Sequence, residues 1–134
     1  YLAVANGNNG STYNVNSIIY EWNGTQFTQI QAIPTVGATD WKSFEINDEF
    51  YLAVANAFDG STRNLDSVIY KWNGTQFVQT QAIPTSAAND WETFQINGET
   101  YLSVANAFDG SSVNITSNFY RFDATTGQFV PATD

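Results

Sequence analysis

The chain has 134 residues, 43% of them hydrophobic and 16% aromatic, with no cysteine, no histidine and a net charge of −9. That acidity argues against nucleic acid, whose phosphates it would repel, and the missing Cys and His remove disulfides, the usual zinc sites and Ser-His-Asp or Cys-His nucleophiles. No apolar run approaches the ~20 residues of a membrane helix, so no membrane insertion is expected, and residues 1–134 are expected to form a single domain.

The first strand, Tyr1-Leu-Ala-Val-Ala-Asn6, returns as Tyr51-Leu-Ala-Val-Ala-Asn56 and as Tyr101-Leu-Ser-Val-Ala-Asn106. Tyr20-Glu-Trp-Asn-Gly-Thr-Gln-Phe27 recurs as Tyr70-Lys-Trp-Asn-Gly-Thr-Gln-Phe77, and Gln31-Ala-Ile-Pro-Thr35 as Gln81-Ala-Ile-Pro-Thr85. Asp40-Trp41 with Phe44 and Ile46 returns as Asp90-Trp91 with Phe94 and Ile96. Residues 1–50 and 51–100 are about two-thirds identical without a gap, so the repeats are 1–50, 51–100 and 101–134.

Within the second repeat the elements follow in order. Tyr51–Asn56 predicts one strand and Ser67–Trp72 another, rich in β-branched and aromatic residues. Asn73-Gly74 predicts a type I′ hairpin turn. Phe77–Ile83 predicts a third strand that Pro84, lacking an amide proton, should end. Trp91–Ile96 alternates apolar and polar residues, as a fourth strand does, and Asn97-Gly98 turns into the next repeat. Four strands per unit of this length predict an all-β chain of β-propeller blades. With the Asp-Trp-x-x-Phe-x-Ile strand innermost, the first repeat lacks its inner strand, giving three, four and four strands. Such blades cannot close a ring, so the chain is expected to be part of a larger or an oligomeric propeller, completed by further blades in a parent chain or by self-association. Trp22, Trp72 and Phe122 share one slot and are expected to pack between blades.

The four motifs, in fixed order over the whole chain, resemble the epilepsy-associated repeat, also called the EAR or EPTP repeat. The resemblance implies a seven-bladed propeller in secreted or cell-surface proteins, with a role in protein–protein recognition. Tyr120-Arg-Phe-Asp-Ala-Thr-Thr-Gly-Gln-Phe129 departs from the pattern by a longer turn.

Loop lengths predict which end works. Ala57–Asp66 and Pro84–Asp90 read as long loops sharing one end, and the other end carries tight turns, so binding is expected at the long-loop end. Phe58, Asp59, Asn64, Asp66, Phe108, Asp109 and Asn114 are the candidate ligand-binding residues. An aromatic beside carboxylate and amide groups can anchor a protein or stack on a sugar. The competing reading has Asp-Gly forming a turn and Phe pinning the loop to its neighbour. Asp40 and Asp90 are candidate ligands of a channel cation, Ca2+ by their oxygen chemistry, and the resemblance implies such a calcium site. Alternatively, each fixes its own turn through loop amides. No enzyme is expected. Asp59 with Asp66 is the only loop carboxylate pair available for glycoside hydrolysis, and near-copies of it would serve no catalytic purpose. Asn9, Asn23, Asn73 and Asn114 fit the N-glycosylation pattern, two of them where a turn already requires Asn-Gly. The expected partner is a protein at a cell surface or in a matrix. Multivalent glycan binding and a purely structural repeat are the alternatives.

Overall fold

A computed structural model describes residues 1–132. The described residues form three separate antiparallel meanders of three, four and four strands. The first holds β1 (Leu2–Val4), β2 (Asn14–Trp22) and β3 (Phe27–Val36). The second holds β4 (Ala38–Ile46), β5 (Glu49–Asn56), β6 (Asn64–Trp72) and β7 (Phe77–Ser86). The third holds β8 (Ala88–Ile96), β9 (Glu99–Asn106), β10 (Asn118–Asp123) and β11 (Gln128–Pro131). The sheets stack side by side as propeller blades without closing a ring, and the first lacks the strand that β4 and β8 supply to the others. No helix of the described residues is long and apolar enough to cross a membrane.

Two apolar layers hold the stack. Ile19, Ile33, Leu52, Val54 and Tyr70 fill the space between the first and second blades. Ile69, Ile83, Trp91, Leu102 and Val104 fill the space between the second and third. Each fully buried aliphatic chain is worth roughly 1.5–3 kcal/mol, so burial between sheets, rather than within any one of them, carries the fold.

Four expectations are corrected. Pro84 does not end its strand: β7 runs on to Ser86 with Pro84 opposite Asp66. β7 is the outermost strand of its blade, where a missing amide leaves no ladder bond unmade. The supposed long loop Pro84–Asp90 therefore shrinks to Ala87, which turns the chain from β7 into β8 with φ 44°. At Asn73-Gly74 only the glycine has a positive φ, 104°. The hairpin is a four-residue loop in which Asn73 N bonds Gln76 O at 3.0 Å, because the Asn73 side chain caps the turn instead. Asn97-Gly98, with φ 52° and 83°, has the two positive values of a type I′ turn. Lastly, Trp22 is 53% exposed. Trp72 in the same slot packs on Tyr1 of the preceding blade at 5.6 Å, and Phe122 on Tyr51 at 6.1 Å. Trp22 has no preceding blade among the described residues.

Candidate functional site

The connections β5–β6 (57–63) and β9–β10 (107–117) share one end of the stack. Their tips are built by carboxylates. Asp59 Oδ1 accepts from the amides of Ser61 and Thr62, both at 2.7 Å. Asp109 Oδ1 accepts from the Ser111 and Ser112 amides at 2.8 and 2.7 Å. These amides hold both carboxyls below the usual range, Thr62 leading at Asp59 and Ser111 at Asp109. Asn9 makes the same turn in the first repeat, with Ser11 and Thr12 amides at 3.0 Å. The tip thus needs an acceptor oxygen and not a charge, so the Asp residues have a structural task.

Between the tips lies a residue that the sequence reading missed. The Arg63 guanidinium sits 4.4 Å from the centre of the Phe58 ring and 5.6 Å from that of Phe108. Phe58 also meets the edge of Tyr13 at 4.8 Å. Tyr13, Arg63 and Val113 hold one position in successive repeats, and the first two pack on the Phe of the following blade. That divergence at a repeated position was the available signal. Asn64 Nδ2 donates to the Asp109 carbonyl at 2.9 Å, joining the two loops. Phe58, Asn64, Phe108 and Asp109 are therefore brought together around Arg63. Asp66 is not part of the cluster: it lies within β6, opposite Pro84, and its carbonyl accepts from Asn56 Nδ2 at 2.9 Å. Asn114 stands apart on the longer third loop, its amide donating to Ser112 Oγ at 3.0 Å.

Asp40 and Asp90 lie inside β4 and β8, just after bulges that leave Thr39 and Asn89 unpaired. A bulge re-aims the following side chain, and here the two carboxyls come side by side. Burial holds Asp40 above the usual carboxylate range, and the Asp90 carboxyl beside it pushes the same way. The neighbouring strands are joined by Thr39 Oγ1 to the Ala88 carbonyl at 2.8 Å and by the Lys42–Glu92 ion pair at 2.6 Å. Two converging carboxylates have the oxygen chemistry of a hard cation site. No group of three or more acidic, His or Cys side chains forms among the described residues, and Ca2+ takes about 6–8 oxygens. The pair would therefore be only part of a coordination shell.

The repeated amides Asn and Gln, which the sequence reading left unassigned, stitch the blades. Asn56 Oδ1 accepts from the Val36 amide of the blade before it at 3.1 Å, and Asn106 Oδ1 from the Ser86 amide at 2.9 Å. Gln31 bonds both backbone groups of Phe77 at 2.8 Å, and Gln81 does the same to Phe129. A side-chain amide with one donor and one acceptor end suits a strand edge, which offers both.

A family model described as EPTP domain matches residues 26–73 and 76–123, most of the chain. Each window opens just before or at the outer strand of one sheet and closes at the third strand of the next, so the sequence unit is staggered against the blade. The chain is also similar to a human protein named Thrombospondin-type laminin G domain and EAR repeat-containing protein, at 49% identity over 45 residues. That segment covers 33% of this chain and 7% of the human protein. A mouse protein of the same name is 47% identical over 45 residues, with the same coverage. The matched part is thus a small fraction of these relatives' length.

Proposed function

The chain belongs to the EPTP domain family, and on that premise we propose that it is an extracellular recognition module. It binds another protein, at a cell surface or in a matrix, through the long-loop end of its blades. The observation that carries this reading is the Phe58–Arg63–Phe108 stack. Arginine and aromatic groups held rigidly together are the usual anchors of a protein interface. Arg63 is the one cation in the two long connections of an acidic chain, which gives that end a distinct charge. Similarity to a protein whose name joins a laminin G domain to EAR repeats favours a secreted or cell-surface setting.

The glycan alternative draws less support, because Phe58 already meets Arg63 and Tyr13 and offers a sugar little free ring. The role proposed is binding without catalysis. Asp40 and Asp90 would contribute two carboxylates to a Ca2+ site, which would stiffen the junction between two blades. Screening the chain in parallel against extracellular ectodomains and a glycan array tests the reading. A saturable protein ligand with no glycan dependence is expected, and strong, specific glycan hits would overturn it.

A further inference from the structure

On the reading that the long-loop end binds a protein, we propose that Arg63 is the receptor for one carboxylate of that protein, carried on an Asp or Glu side chain. The chain has four Lys and Arg residues against 13 Asp and Glu. Three of the four meet a carboxylate: Lys42 with Glu92 at 2.6 Å, Lys71 with Glu49 at 2.8 Å and Arg121 with Glu99 at 3.3 Å. Arg63 meets none among the described residues, and its guanidinium donates no hydrogen bond among them. Only its backbone carbonyl is engaged, by the Ala87 amide.

Aromatic rings hold this guanidinium in place. Phe58 at 4.4 Å and Phe108 at 5.6 Å come from the loops of two successive blades. Such contacts attract the charge and leave the N–H donors without an oxygen. Arg63 is half-buried, so part of its hydration is already gone and its side chain is ordered before a partner arrives, which removes part of the usual cost of association. A planar guanidinium matches a carboxylate through two parallel N–H···O bonds, a geometry that an ammonium lacks. Tyr13 and Val113, at the same position of the neighbouring repeats, carry no cation. The site therefore occurs once in the chain, suited to one group of a partner.

The surroundings select the kind of anion. Asp59 and Asp109, at the tips of the same two loops, are kept ionised by the amides that bind their Oδ1 atoms. A multiply charged anion, such as phosphate or a sulfated sugar, is drawn by one cation and repelled by both carboxylates. A single carboxylate flanked by basic residues meets the complementary pattern: it pairs with Arg63 while its neighbours face Asp59 and Asp109.

The test titrates the isotopically labelled 134-residue chain with N-acetylated tripeptides and follows the Arg63 Nε proton. Lys-Glu-Lys-amide carries one side-chain carboxylate and Lys-Gln-Lys-amide carries none. Lys-Gln-Lys with a free C-terminus moves the carboxylate to the main chain, and inorganic phosphate is the further probe. The Glu peptide should give a saturable shift and bind about three- to tenfold more tightly than the other probes, the scale of one net hydrogen bond. The Gln amide peptide has the greater positive charge, so general attraction to an acidic chain opposes the expected order. Arg63→Gln should abolish the preference, and Arg63→Lys should keep only part of it. The peptide comparison on the parent chain needs no variant to fold. Equal binding of the Glu and Gln peptides, or no saturable shift, would overturn the proposal. So would tighter binding of phosphate or of the free C-terminus, or a preference that survives Arg63→Gln. The interface itself fails separately, if an ectodomain captured by the chain binds an Arg63→Ala, Phe108→Ala variant with full affinity.

Discussion

Trp91 and Trp22 carry the same side chain into opposite surroundings. Trp91 is 0% exposed and hydrogen-bonded, whereas Trp22 is 53% exposed and rests on Phe27. Trp91→Ala should therefore cost about 3–5 kcal/mol in a denaturant melt, and Trp22→Ala less than about 1 kcal/mol. Gly37 is a second test at this scale. Its φ is 55°, and a Cβ there would lie 2.2 Å from the Phe58 carbonyl oxygen. Gly37→Ala should destabilise by about 2–4 kcal/mol, combining the left-handed penalty with overpacking. Asp40 gives a pH test. Its carboxyl is raised in the folded state by burial and by Asp90, so its contribution is fully present below the ordinary carboxylate range and is lost as pH rises through the raised value. Without calcium, Asp40→Asn should gain melting temperature relative to the parent as pH climbs to neutrality. With calcium bound between the two carboxylates the order should invert, since binding to the folded state stabilises it. Identical parent and variant curves at every pH, with and without calcium, would remove both ideas.

The strands themselves were legible, because alternation in Trp91–Ile96 and the paired left-handed turn at Asn97-Gly98 need only nearest neighbours to be read. Pro84 misled because its tolerance depends on lying at the outer edge of a sheet, a property of the assembled blade and not of the local sequence. The same applies to Arg63, whose partners Phe58 and Phe108 come from two different loops. Gln31 and Gln81 are polar residues in apparent strand interiors, and only the neighbouring blade explains them. Gln81→Ala should leave both Phe129 backbone groups without partners across the blade junction, costing about 1–3 kcal/mol. Hydrogen exchange should then speed up in β9–β11 while β5–β7 stay protected, because the two bonds lost tie only the last blade on. Uniform acceleration over all three sheets would mean that the junction does not act as a separable unit.

At the scale of the molecule, repetition made the architecture readable: one unit recurring about every 50 residues with four strand signals implies stacked sheets. The three-four-four strand division followed from placing the Asp-Trp strand innermost, which the two complete sheets bear out. Loop length was harder to read, since one of the two supposed long loops is a single residue, Ala87. At the other long connection the Phe58–Arg63–Phe108 cluster stands opposite an end of tight turns. The most direct measurement compares two variants for binding to a protein ligand identified among extracellular ectodomains. One is altered at the loop end, Arg63→Ala with Phe108→Ala. The other is altered at the turn end, Thr75→Ala with Gln76→Ala, and both are checked for unchanged strand circular dichroism. Loss of affinity by about tenfold or more in the first variant alone is the expected result, as truncating interface anchors produces. Full affinity in the loop-end variant, with loss in the turn-end variant, would contradict it.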